Sequence, residues 1–377
     1  MKQYSLHEVK TKKEYHAFFT FPFKLYEGCD QWVPPITKEE KAIFNRTKNP
    51  VFENAKAKLF VVKNRKQIIG RVAALINWIE VKEQGKTKVR FGWYDTIDDL
   101  DVSRMLIDAV NSWGKQNGLT YLEGPMGFSN MDKAGVLVQG YEYKNTMITW
   151  YHYPYQKKHL EELGLVKQAE WVEFQIKIFK AEDAPKKVKK YAELISKRYE
   201  LSALEFSKRK ELIPYVDKMF DLLNKTYNNL QSFVPIQPYQ IAHYKEKYFT
   251  YIHPRFIKCV VDKSGNLIAF AITMPSFSEA LKKVNGSLYP FGFLHIIRAL
   301  RKNNRASFYS IGIDPAYQNK GVTAILFDAI QKMFNAQGIT DVETNPELEE
   351  NNSIQLMWKN YDHELHKRRR TYKKGIS

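Results

Sequence analysis

Cysteine is scarce: the 377 residues hold only Cys29 and Cys259. Two thiols so far apart, without metal-ligand company, exclude a disulfide framework and a zinc module. Such low use fits a reducing compartment, and a cytoplasmic protein is expected. Long apolar runs are also lacking. The run from Leu267 to Pro275 is far short of the ~20 residues a bilayer-spanning helix needs. Met1 to His7 has no apolar core of the secretory-leader kind. None of the nine histidines falls in a metal or triad spacing, so neither a metal ion nor a histidine base is expected. Acidic residues are in deficit, 41 against 59 Lys and Arg, which leaves a net charge of +18. That excess points to an anionic partner: nucleic acid, acidic lipid or a phosphate-rich small molecule.

What is present suffices for ordinary cores. Apolar residues make up 44% of the chain and aromatics 14%, and the length suits two domains of roughly 100–200 residues. The first half predicts a strand at Tyr4–Val9, a helix at Thr11–Tyr26 and a hairpin of Lys58–Lys63 with Gln67–Trp78. A strand at Lys88–Tyr94, an amphipathic helix at Asp101–Asn117 and a strand at Tyr121–Glu123 follow. Residues 180–200 are charged at their start, contain Pro185 and read as a linker. The order then repeats: strand Leu201–Phe206, helix Leu212–Tyr227, hairpin Phe256–Val261 with Leu267–Thr273, strand Ser307–Ile313, helix Val322–Gln337, strand Asp341–Thr344. A short helix at Asn351–Tyr361 and a strand at Leu365–Tyr372 close the chain. The repeated order predicts two similar α/β lobes, each a mostly antiparallel mixed sheet flanked by helices, over 1–179 and 201–377. Two basic clusters stand out, Lys186–Lys190 and Lys367–Arg370. A solvated surface is the ordinary reading of each.

The stretch that carries chemistry begins at Tyr309. An apolar strand ends at Ile313, Asp314-Pro315 turns the chain, and a polar loop enters a helix through Gly321. The N–H groups at such a helix start can grip a pyrophosphate, glycine allows close approach, and Lys320 adds positive charge. Asp314-Pro315-Ala316-Tyr317-Gln318-Asn319-Lys320-Gly321 resembles the acyl-CoA-binding motif of the GNAT N-acyltransferase superfamily. Thr323 departs from that motif's usual small residue.

The resemblance implies acetyl-CoA or another acyl-CoA as cosubstrate. Ile311, Ile313, Gln318, Asn319, Lys320, Gly321, Val322, Thr323 and Asn351 would hold it. It also implies direct transfer to an amine on a small molecule or peptide. A backbone N–H near Ile313 would polarise the thioester carbonyl, and Glu343 would help remove the amine proton. Asn351, Ile354 and Met357 match the start of the family's last helix. Trp358 stands where a general-acid tyrosine is usual, and an indole is not acidic enough for that task. Tyr361, three residues on, is the substitute. Plainer readings stand beside these: Glu343 as a solvent-facing strand residue and Tyr361 as a packing residue.

The first half has no such loop. Asp95, Asp98, Asp99 and Asp101 occupy the corresponding place, where they would repel a pyrophosphate and favour a helix start. This half is expected to be a degenerate copy. Gly124 to Tyr141, with Tyr153-Pro154-Tyr155 and Leu160–Gly164, resembles a bacterial family of two-lobe GNAT-like proteins, a resemblance that brings no substrate. Asn130 and Asp132 within it read as pocket or loop-capping residues. Residues 276–305 form an insertion. Its apolar run Leu288–Ile297 and following Arg298, Arg301, Lys302 and Arg305 suit a lid, a membrane contact or core packing. An N-acyltransferase is therefore expected. A non-catalytic acyl-CoA-binding protein and an aminoacyl-tRNA-dependent transferase, with nucleic acid as a lesser partner, are the alternatives.

Overall fold

The computed structural model describes all residues except 1–2, 185, 229, 231–232, 250–252, 352–354, 356–357 and 377. Its chain begins β1 (Tyr4–Glu8), α1 (Lys12–Leu25), α2 (Thr37–Ile43), β2 (Ala55–Asn64), β3 (Gln67–Asn77), α3 (Trp78–Lys82), β4 (Lys88–Thr96), α4 (Leu100–Gln116) and β5 (Tyr121–Gly124). Then come β6 (Val136–Gln139), α5 (Pro154–Glu162), β7 (Val166–Lys177), α6 (Lys186–Tyr199), β8 (Ser202–Leu204), α7 (Arg209–Tyr227) and α8 (Pro238–Phe249). The remainder is β9 (Ile257–Val261), β10 (Leu267–Pro275), α9 (Ser278–Val284), α10 (Gly292–Arg301), β11 (Arg305–Ile313), α11 (Val322–Gln337), β12 (Asp341–Glu343), β13 (Glu347–Leu348) and β14 (His363–Gly375). Contacts group residues 1–172, 277–296 and 366–377 into one unit, and 173–276 with 297–365 into a second.

Within the first unit the strands run β1-β2-β3-β4-β5-β14. The β2–β3 hairpin pairs from Asn64↔Gln67 to Ala55↔Asn77, and the β4–β5 pair is parallel. Thr11 caps α1, and Glu14 completes a capping box. Helix α4 buries Val102, Leu106, Ala109, Val110 and Trp113, the side its periodicity predicts. On the sheet and the adjoining α3, four charges are almost wholly excluded from water. Lys88 meets Glu80 and Glu123, each at 2.8 Å, and Arg90 meets Glu80 at 2.8 Å. Their mutual pairing is what makes such burial tolerable.

The second unit has the strand order β7-β12-β11-β10-β9-β8, with the β11–β12 pair parallel. Each unit thus reads strand, two helices, hairpin, strand, helix, parallel strand, and the expected two-lobe mixed-sheet architecture is present. Residues 186–199 of the expected linker form α6, which packs on α11. Ala192 and Ile195 supply its buried side.

The Lys367–Arg370 cluster is not a solvated surface. Lys367 and Arg369 are buried, and their side chains donate to the carbonyls of Lys144 and Trp150. Arg368 and Arg370 reach Glu170 at 2.9 and 2.7 Å. Strand alternation sends the two pairs to opposite faces. Asp132 accepts from the Ser129 N–H at 3.1 Å, the loop-capping role.

Candidate functional site

The site is built on β11. One edge of this strand pairs antiparallel with β10, from Ala306↔Pro275 to Ile313↔Ala269. On the other edge, among the described residues, β12 pairs only at Arg305↔Asp341, Ala306↔Val342 and Ser307↔Glu343. Beyond Ser307 the ladder ends: Asn345 still donates its N–H to the Phe308 carbonyl at 3.1 Å and its side-chain amide to the Tyr309 carbonyl, and the strands part after that. Asp314 donates its N–H to the Ile268 carbonyl, so by alternation the backbone groups of Ile311 and Ile313 point away from β10, toward the parted edge. Helix α7 meets them there. The Tyr227 hydroxyl donates to the Ile311 carbonyl at 2.9 Å, and the Thr226 hydroxyl to that of Ile313 at 3.2 Å. The Ile311 carbonyl oxygen has a second lone pair to offer. Burial raises the Tyr227 phenol above its ordinary pKa.

Past Ile313 the chain makes a tight turn at Pro315–Tyr317, capped by Asp314, which accepts from the Ala316 N–H at 2.9 Å. The Gln318 amide reaches the Ile313 carbonyl at 3.4 Å. Asn319 has a positive φ of 61°. Gly321 opens α11 with a φ of 79°, and no side chain caps the helix start. Glycine is required twice here. The left-handed backbone disfavours a side chain, and a Cβ would lie 2.7 Å from the Tyr191 hydroxyl. The Lys320 ammonium lies over the rings of Tyr317 and Tyr199, at 5.2 and 5.7 Å. Val322 is buried, so it offers a ligand only its backbone. Thr323 is half-buried in the first turn. A bare helix start, a glycine and a lysine fit an acyl-CoA pyrophosphate.

Helix α6 lies along this loop, with Tyr191 against Gly321 and Tyr199 beside Lys320. Lys187 precedes Tyr191 by one turn on the same face, and Lys190 adjoins it. Lys187 and Lys190 are exposed on the helix that covers Gly321, a neighbourhood that sequence spacing alone did not indicate.

Glu343 occupies the last β12 position paired with β11, at the root of the parting. A carboxylate oxygen of the buried Glu173 comes within 4.8 Å of one of its own. Asn351 donates its N–H to the Leu348 carbonyl at 2.9 Å, just after β13. Ile354 and Met357 lie outside the described residues. Tyr361 packs on Phe179 and Phe327, with centroids 5.5 and 6.2 Å away. Beside it is a cavity of about 10 Å³, space for a water at most. Burial pushes its phenol up to about 12.

Sequence reasoning missed Glu347. Burial raises its carboxyl to about 8, while hydrogen bonds from Trp358 and Thr344 pull the other way. The Trp358 indole donates to both carboxylate oxygens, at 3.2 and 3.3 Å. The same indole packs on Phe308 and Phe327, each 5.3 Å away. A tryptophan where the family pattern has tyrosine thus joins the core to a buried carboxyl. Glu347 also acts electrostatically on Tyr227. Trp358 was the one available signal, and it names no partner.

No family model matches the chain. It is 25% identical to Protein YghO of Escherichia coli strain K12 over 371 residues, 97% of this chain and 94% of that protein. It is 22% identical to the Bacterial ceramide synthase of Caulobacter vibrioides strain NA1000 / CB15N, over 98% of this chain and 96% of that protein. Among solved structures, a tandem GNAT protein from the clavulanic acid biosynthesis pathway superposes with a TM-score of 0.58. The superposition covers 100% of this chain and 99% of that one, at 9% identity. The fold is the tandem GNAT fold.

The two GNAT lobes differ at the place that matters. In the first, among the described residues, β4 pairs with β5 only at Lys88–Arg90, so the β4 ladder ends early just as that of β11 does. Each lobe adds one backbone bond past its ladder, from Met126 in the first and from Asn345 in the second. Met126 donates its N–H to the Phe91 carbonyl at 2.7 Å, and a Cβ on Gly92 would lie 2.5 Å from the Met126 carbonyl oxygen. The start of α4 is already capped, since Asp99 accepts from the Asp101 N–H at 3.0 Å. Asp95, expected at that helix start, instead makes a buried pair with Arg71 at 2.6 Å and accepts from Tyr26 at 2.7 Å.

Proposed function

We propose that this protein is an acyl-CoA-dependent N-acyltransferase whose second lobe binds the cosubstrate. The observation carrying the proposal is the contrast between lobes. In the second, the helix after the parted strand starts at a glycine with no side-chain cap; in the first, a carboxylate already caps the corresponding helix start. In this reading the pantetheine arm lies along the parted edge at Ile311 and Ile313. The pyrophosphate sits at Gly321–Thr323 beside Gln318, Asn319 and Lys320. Asn351 borders the acyl end, and Lys187 and Lys190 meet the remaining phosphate.

The acceptor amine attacks the thioester carbonyl. The C–N bond forms, the C–S bond breaks, and the amine proton leaves to a carboxylate. Glu343 and Glu347 are the two carboxyls proposed for that step. A base with a pKa near 8 is matched to an amine at neutral pH, which favours Glu347. The leaving thiolate takes a proton from a phenol. Tyr227 stands on the parted edge, while Tyr361 sits among packed rings, so Tyr227 is assigned ahead of it.

The name of the Caulobacter relative supports the acceptor class. A ceramide is an N-acylated long-chain amino alcohol, so an amphiphilic amine is the acceptor to try first, with both acetyl and long-chain acyl donors. The aminoacyl-tRNA alternative loses much of its support because the Lys367–Arg370 cluster is consumed within the protein. Calorimetric titration with acetyl-CoA and palmitoyl-CoA tests the site. Gly321→Glu should abolish binding while the thermal transition persists. Unchanged binding would remove the cofactor assignment.

A further inference from the structure

The segment from Tyr289 to Lys302 leaves its apolar side uncovered. Tyr289, Phe291 and Leu294 are 75%, 70% and 51% exposed. Phe293 and Ile297 are exposed as well, and α10 buries none of its residues. At 100° per residue, Ile296, Leu300, Phe293, Ile297 and Leu294 fall on one side of this helix. Arg298, Lys302 and His295 fall on the other, and Arg301 lies at the border between Ile297 and Leu294. All four of these polar side chains are exposed.

A helix of this make neither completes a core nor crosses a bilayer. No helix among the described residues is long and apolar enough to span one. Exposed aromatics just before the helix, an apolar side along it and a cationic border are what the headgroup boundary of a membrane accepts. Rings and aliphatic chains enter the acyl region, and Arg and Lys remain among the phosphates. Charge decides among possible occupants. A second copy of this chain would bring the same cations against themselves, on a protein of net charge +18. An anionic lipid surface is complementary to both halves of the face.

We infer that Tyr289–Lys302 docks the protein on an anionic phospholipid surface, with α10 lying in the plane of the interface. This rests on the exposed face and not on the acyl-transfer reading, and its test does not involve catalysis.

The test is co-sedimentation of the full chain with vesicles of phosphatidylglycerol in phosphatidylcholine, and with vesicles of phosphatidylcholine alone. Wild type should bind the anionic vesicles, release in high salt and bind the neutral ones at least about tenfold more weakly. The variant F291S/F293S/L294S should lose at least about tenfold in partitioning. R298Q/R301Q/K302Q should lose roughly fivefold per charge. Both should keep the wild-type thermal transition, because the replaced side chains are exposed. Wild type that ignores anionic vesicles, or apolar variants that partition like wild type, would overturn the inference. So would wild type that runs as a dimer in solution while F291S/F293S/L294S runs as a monomer, since the face would then belong to a second copy.

Discussion

Replacing Glu347 with glutamine perturbs the second lobe in a way that can be worked out in advance. The folded carboxyl has its pKa raised to about 8, chiefly by burial, whereas in the unfolded chain it ionises near its ordinary value. Between about pH 5 and pH 8 the folded state therefore holds a proton that the unfolded state has lost. A raised pKa means that the associated stability is fully present at low pH and disappears as pH rises through the folded value. Each pH unit in that window is worth about 1.4 kcal/mol. From about pH 5.5 to about pH 8.5, wild type should lose about 3 kcal/mol that Glu347→Gln does not lose. The assay is urea denaturation of both proteins at the two pH values, followed by tryptophan fluorescence. The difference should appear as a wild-type midpoint that falls with pH relative to the variant's. A second arm uses Trp358→Phe, which removes the indole donor that favours the ionised carboxyl. The window should then extend to higher pH. Parallel midpoints for wild type and Glu347→Gln across the range would refute the claim that this carboxyl is buried in protonated form.

Two further outcomes are expected. Lys187→Gln with Lys190→Gln should weaken binding of CoA by about tenfold while leaving 3′-dephospho-CoA almost unaffected, as for two exposed phosphate contacts; titration calorimetry with both ligands reads the difference. Glu80→Gln leaves Lys88 and Arg90 short of a buried counter-charge. The first lobe should lose about 3–5 kcal/mol, read as a lowered denaturation midpoint.

The regular elements were legible because their periods are strong. The β2–β3 hairpin, α4 and α11 lie within a few residues of their expected bounds, and the repeated element order revealed two lobes. The Asp314–Gly321 loop could be read because strand, turn and helix start are adjacent in sequence. What was not legible depends on long-range contact. Glu347 lies on a two-residue strand and acquires its character from Trp358 and from burial. Tyr191 covers Gly321 from a helix more than a hundred residues earlier in the chain. Lys367 and Arg369 read as surface charges by residue type, yet β14 carries them inside the first unit, where backbone carbonyls receive them. The bonds that Met126 and Asn345 add beyond the short parallel strands come from loop backbone, which no composition reveals.

The central claim is acyl transfer, and product analysis tests it most directly. The protein would be mixed with acetyl-CoA or palmitoyl-CoA and a panel of long-chain amino alcohols, with thiol release and N-acylated product measured together. The account predicts one thiol released for each amide formed. It also predicts a loss of about a hundredfold or more in kcat for Glu347→Gln, with acyl-CoA binding retained. Saturable acyl-CoA binding with neither thiol release nor amide formation across the panel would contradict it and leave a binding protein in place of an enzyme.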